Sequence, residues 1–99
     1  MKTYYPYKAT DGKHKYYIIT NENRKVYFGA VCYDDFTTTH NKDPLRKERY
    51  IARHKNREDW TRTGINSAGW WSRFYLWEAP TKEQAYAKIK QQLLKWGIL

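Results

Sequence analysis

The side chains best suited to grip an anion stand in a row. Arg46, Arg49, Arg53 and Arg57 fall at offsets of 0, 3, 7 and 11; on a helix they would occupy an arc of roughly 80° and a length of roughly 16 Å. Each guanidinium is a planar fork that can give a phosphate two hydrogen bonds. A row of that length would meet several phosphates of a nucleic-acid backbone. Lys42 extends the row before the helix begins, and Lys47 lies beside it. The competing reading is a solvated helix face, with Glu48, Glu58 and Asp59 for local pairing. The regular spacing and the charge of the whole chain keep the anion site level with that reading. The chain's 19 Lys and Arg stand against 10 Asp and Glu, and a formal net charge of +9 over 99 residues calls for a polyanionic neighbour.

Other groups invite chemistry and do not assemble it. The histidines are His14, His40 and His54, and His40-Asn41 resembles part of an HNH nuclease motif. Metal-dependent hydrolysis needs at least two converging ligands and an open coordination position. No Cys pair and no HxxxH or HExxH spacing supplies them, so His40 reads as a cap or surface residue and His54 as a hydrogen-bonded one. Asp34-Asp35 could hold Mg²⁺ or act as acid and base. Neighbours on a strand point to opposite faces, however, so the pair reads rather as a strand end or as partners for arginine. With no Gly-rich phosphate loop and no Ser/His/Asp set, the expectation is a non-enzymatic protein with no metal and no cofactor.

Cys32 is the one cysteine. It reads as a small strand residue, and a lone thiol suits a reducing compartment. No apolar run approaches the ~18–20 residues that cross a bilayer, and the start lacks the apolar stretch of a signal peptide. The expected location is therefore a reducing, intracellular compartment, not a secreted state or a membrane.

The elements that must position these residues emerge from pattern. Residues 4–9, 14–20 and 25–32 are rich in Tyr, Ile, Val and Phe and read as three strands. Asp11-Gly12 predicts a two-residue hairpin turn, and the Asn residues of 21–24 suit a second turn. Alternation puts Tyr16 and Ile18 on one face, and Tyr17 and Ile19 on the other. Helices of this chain can cover one face, leaving the other either partly covered or a contact surface. Asp43-Pro44 opens a helix over 44–57, and Ser67 caps one over 68–77. Thr81 with Gln84 opens a third over 81–96, ended by Gly97. The last helix has an apolar face of Ala85, Tyr86, Ile89, Leu93 and Trp96. Residues 68–77 are apolar nearly all round, which predicts a helix sandwiched in the core with Trp70, Phe74 and Trp77 aligned; a buried strand is the competing reading. Arg73, if buried within it, needs a carboxylate or several carbonyls, with Asp34, Asp35 and Glu78 as candidates.

The fold class is thus α+β in one domain of residues 1–99. It has a three-stranded antiparallel β-meander followed by two or three helices packed mainly on one face. Five Trp, ten Tyr and three Phe make the core aromatic. Rings and cations also interleave, as in Lys13-His14-Lys15-Tyr16-Tyr17 and Arg24-Lys25-Val26-Tyr27-Phe28. Exposed, they would stack bases and hold a backbone; rings at strand alternation otherwise serve as core or cross-strand pairs.

From Phe28 to Thr81 the chain resembles an uncharacterised family of small basic proteins of large DNA viruses and tailed phages. The matching stretches begin with Tyr27-Phe28-Gly29, Asp35-Phe36-Thr37, His40 and the run from Arg46 through Tyr50-Ile51-Ala52-Arg53-His54. Glu58, Trp60, Gly69, Ser72-Arg73, Leu76-Trp77 and Pro80-Thr81 complete them. The resemblance implies a viral source and a virion component, and carries over no catalytic residue. It groups Tyr50, Arg53 and His54 as a unit and leaves Arg53 and His54 two placements: on the surface, or turned inward onto Asp34-Asp35. In the inward placement a structural polar cluster of Asp34, Asp35, His54 and Arg73 would form, leaving Arg46, Arg49 and Arg57 for an external anion. The expected partner is nucleic acid, DNA ahead of RNA, bound mainly through phosphates. The alternative is a minor capsid or cement protein that docks on shell subunits or on copies of itself.

Overall fold

The computed structural model describes residues 2–38 and 43–99. Strands β1 (Tyr7–Lys8), β2 (His14–Ile19) and β3 (Lys25–Ala30) form an antiparallel sheet in the order β1-β2-β3. Then come α1 (Pro44–His54), a 3₁₀ turn (Arg62–Gly64), α2 (Ala68–Trp71) running directly into a π-helical turn (Ser72–Leu76), and α3 (Lys82–Lys95). This is the α+β architecture that the pattern predicts.

The helices cover the face that carries Tyr16, Ile18 and Phe28. Ile18 and Phe28 are buried with Trp71, Tyr75, Leu76, Ala85, Ile89 and Leu93 in one cluster. Its contacts are mostly between rings: Tyr16 meets Tyr75 edge-on at 5.1 Å, and Phe28 lies 6.1 Å from Trp71. Rings bury large areas, which is how a chain this short fills a core with few aliphatics. On the other face the register sets Tyr7 opposite Tyr17, and Tyr17 opposite Tyr27.

Several boundaries differ from the pattern. The first strand shrinks from 4–9 to two residues because Tyr4 adopts a left-handed backbone (φ 53°). That turn drives its ring into the core, parallel to Trp71, and its hydroxyl donates to the Asn66 side chain at 2.7 Å. The first hairpin is wider than two residues. Ala9 N–H bonds to Lys15 C=O, and Asp11 Oδ1 accepts from the N–H groups of Lys13 and His14. The carboxylate thus replaces the ladder bonds of a tight turn. β3 stops at Ala30, so Cys32 is an exposed turn residue and not a strand residue. Near Lys15, Gly29 has φ 76°, and a Cβ there would lie 2.7 Å from Leu76 Cδ1. The positive φ strains any larger residue there, and its Cβ would also push the end of the Leu76 side chain aside.

The predicted helix over 44–57 ends at His54, where the chain turns back. The aromatic segment is helical and buried as expected, but the extra residue per turn of its π-helical part breaks the predicted alignment. Trp70 stays with Phe74 (4.6 Å), while Trp77 leaves them and packs on α1. α3 keeps to its pattern, with Thr81 Oγ1 accepting from Gln84 N–H and Ala85, Ile89 and Leu93 buried. Among the described residues no helix is long and apolar enough to cross a membrane.

Candidate functional site

α1 begins as its sequence dictates. Pro44 occupies the first turn, and the Asp43 carboxylate accepts from Leu45 N–H at 2.9 Å. Its single buried residue is Tyr50. That ring lies flat on Trp77 (4.4 Å, 7°) and carries His54 on its other side (4.3 Å, 25°). This column of three rings fastens the helix to the body. Arg46 and Arg53 lie within about 60° of Tyr50 around the helix axis, and Arg57 stands in the turn just beyond the helix. These arginines therefore flank the anchor, and do not stand on the far side of the helix.

With Arg49 they open onto a cleft of about 730 Å³, lined also by Gly29, Ala30, Tyr33, Gly69, Ser72 and Leu76. All four arginines are solvent-exposed. Arg46 reaches Asp34 at 3.6 Å with both groups open to water, a pairing of small worth. Arg57 Nε donates to the Arg53 carbonyl at 3.2 Å. Arg49, Arg53 and Arg57 have no carboxylate within ion-pair distance among the described residues. The cleft lining sets Lys15 and the four arginines against Asp34, Asp35 and Glu58. Five cations thus face three carboxylates; Lys15 is matched by Asp35 and Arg46 reaches Asp34, while Glu58 meets His54 and no arginine.

Lys47 leaves the predicted anion set. It points to the body, donates to the Glu78 carbonyl at 2.8 Å and sits 5.3 Å over the Phe36 ring. Lys42 and His40 lie outside the described residues.

Of the predicted polar cluster, Asp34, Asp35 and His54 all line the cleft, whereas Arg73 lies outside that lining. Asp35 is buried at 3% exposure, bound to Lys15 Nζ (2.5 Å) and to the Thr38 N–H and hydroxyl (2.6 Å each). His54 Nδ1 faces Glu58 Oε1 at 3.1 Å instead of the Asp34-Asp35 turn, and Arg53 is exposed. Of the three acids open to Arg73, Glu78 is the partner, at 2.7 Å. Burial pushes the Glu78 carboxyl up, but the hydrogen bond and charge of Arg73, with Lys47 and Lys88 nearby, outweigh it and hold the group below its ordinary value. The Arg73 guanidinium also lies over the Trp60 and Phe74 rings, at 5.5 and 5.0 Å.

Sequence reasoning missed two residues of the site, Lys15 and Tyr33, and the contact that a third, Glu58, makes. Lys15 belongs to a basic run that reads as surface charge, yet it neutralises the buried Asp35. Tyr33 is held at its backbone, N–H to Ala30 C=O and C=O to Lys15 Nζ, with its side chain 71% exposed at the cleft. Glu58 rests on Gly69, where a Cβ would stand 2.8 Å from the carboxylate carbon. Glu58 Oε2 is buried with no hydrogen-bond partner among the described residues. The sequence offered a small residue in an aromatic helix and the place of both residues in the resemblance, but nothing that paired them.

Chemically, the arrangement offers exposed cations beside a concave surface. No group of three or more His, Cys, Asp or Glu is placed to hold a metal ion among the described residues. Residues 7–54 match a family of unknown function, DUF5754. The match takes in the sheet, the Asp34-Asp35 turn and the whole of α1, and stops before the Trp-rich body. No curated protein and no solved structure matches the chain.

Proposed function

We propose that this protein binds nucleic acid, DNA ahead of RNA, mainly through the phosphate backbone, and that it does so without catalysis. One observation carries the reading: Arg49, Arg53 and Arg57 form an exposed row along the cleft, and none has a carboxylate within ion-pair distance among the described residues. Arg46 extends the row, because its weak pairing with Asp34 yields easily to a phosphate. Contacts of this kind position a backbone without reading bases, so sequence preference should be weak.

The test is a salt titration of binding to duplex DNA, single-stranded DNA and RNA. Affinity should fall steeply with salt, because phosphate contacts release counterions. Arg49→Gln, Arg53→Gln and Arg57→Gln together should flatten the log–log slope by about 0.9 per lost contact. Affinity unchanged from low to physiological salt, or no affinity for any of the three, sinks the reading.

A virion location rests on the sequence resemblance alone. The second reading, a minor capsid or cement protein, is favoured by Val31 and Tyr33, exposed at 52% and 71%. Purified virions separate the two. A protein that leaves with the genome binds nucleic acid, and one retained on emptied shells is a shell component.

A further inference from the structure

The sheet face turned away from the helices carries a second feature, separate from the cleft. Tyr7, Tyr17 and Tyr27 stand side by side across the three strands, with ring centroids 5.7 and 5.4 Å apart, and His14 continues the row 5.5 Å from Tyr27. All four side chains are half-buried, and none lines the cleft. Two cations lie at this row: Lys25 Nζ sits 5.0 Å over the Tyr17 ring, and Lys2 Nζ sits 5.3 Å over Tyr5, which packs on Tyr7. Neither ammonium has a carboxylate partner among the described residues.

We infer that this face is a stacking platform for the bases of a single-stranded nucleic acid. A ring row flanked by unneutralised lysines fits an occupant with flat π-faces and negative charge. A strand of exposed bases has both; an apolar protein surface has only the first. The rings stand further apart than the ~3.4 Å rise of stacked duplex bases, so the row suits an extended strand whose bases have separated. A duplex hides its base faces within its own stack and offers this surface nothing. Lys25 already occupies the π-face of Tyr17; on binding it exchanges that contact for a phosphate and uncovers the ring.

The inference stands apart from the arginine row, and one experiment separates them. A thymidine decamer and a duplex of the same length are titrated into the full chain at moderate salt, with the ring resonances of Tyr7, Tyr17 and Tyr27 monitored by NMR. The expected result is a shift of these resonances with the decamer and not with the duplex. Tyr17→Leu, which keeps an apolar side chain in the sheet, should weaken decamer binding roughly 5- to 100-fold and leave duplex binding unchanged. Tyr17→Phe should bind as the parent does. Replacing Arg49, Arg53 and Arg57 by Gln should weaken both ligands and leave the decamer's shifts at the tyrosines. No decamer binding, or binding that leaves the three rings unshifted, overturns the inference. So do ring shifts that track protein concentration without the decamer, which would mark the face as a contact between two copies of this chain.

Discussion

α1 and α3 begin alike and are held in different ways. Both have a side-chain N-cap, Asp43 for one and Thr81 for the other, and both are rich in Lys and Arg. α3 sinks Ala85, Ile89 and Leu93 to 2% exposure or less, whereas α1 buries Tyr50 alone. The first helix is amphipathic with guanidiniums and one ring where a core helix has aliphatics. A helix that buries one ring leaves most of its surface free for a ligand, and it can open locally at less cost than the whole domain. In this chain the secure helix completes the core, and the lightly held one presents the charge.

The sharpest way to break that contrast is to cut each anchor. Leu93→Ala removes a side chain at 0% exposure and should cost about 2–5 kcal/mol of global stability, read by denaturant unfolding. Tyr50→Ala should cost less globally. It should instead raise amide hydrogen exchange across α1 while exchange in α3 stays slow. Equal global losses would show that α1 is as much part of the cooperative core as α3, and the contrast would fail.

Alkali probes the same divide through two buried phenols. Burial pushes both Tyr50 and Tyr75 above the usual 10.0; the carboxylate of Glu58 adds to the effect at Tyr50, and neighbouring Tyr16 adds to it at Tyr75. The folded chain keeps them neutral while the unfolded chain ionises them, so their contribution is full below pH 10 and is lost as pH rises beyond it. The loss should approach about 1.4 kcal/mol per pH unit for each group. If α1 opens on its own, Tyr50 should titrate near its ordinary value before global unfolding, while Tyr75 ionises with the global transition. Phenolate absorbance of the parent and of Tyr50→Phe distinguishes the two.

The same divide explains what the sequence could show. Periodicity located the sheet, the register faces and α3, because burial there is set by alternation and by the 3.6-residue repeat alone. Asp43-Pro44 and Thr81 located helix starts, because a cap depends on its immediate neighbours. Asp11 widens the first hairpin through its near neighbours Lys13 and His14; the failures at Tyr4, Lys15 and Lys47 involve distant partners instead. Nothing near Tyr4 announces a left-handed backbone that is offset only when its ring reaches Trp71 and its hydroxyl reaches Asn66. Lys15 and Asp35 are twenty residues apart, and Lys47 finds a carbonyl at Glu78. The arginine row was legible as spacing, but its orientation was not. That depended on Tyr50 meeting Trp77, which in turn needed the π-helical turn to carry Trp77 away from Trp70.

The smallest effects give the finest comparison, because the two caps are alike and only the helices they start differ. Asp43→Ala removes the hydrogen bond to Leu45 N–H, and Thr81→Ala removes the one to Gln84 N–H. A lost N-cap costs about 1 kcal/mol of helix stability. α3 is fixed to the core by three buried side chains, so it cannot fray far without exposing them, and Thr81→Ala should lower global stability by close to that amount. α1 can fray from Asp43 toward its ring anchor with little else lost. Asp43→Ala should therefore appear mainly as faster exchange at the first amides of α1, with a global change of a few tenths of a kcal/mol. It also removes one negative charge beside the arginine row, so affinity for a phosphate backbone should hold or rise slightly. A marked fall in that affinity would mean that the helix must be ordered from its first turn to present its guanidiniums, and α1 would then be a preformed site instead of one that settles onto its ligand.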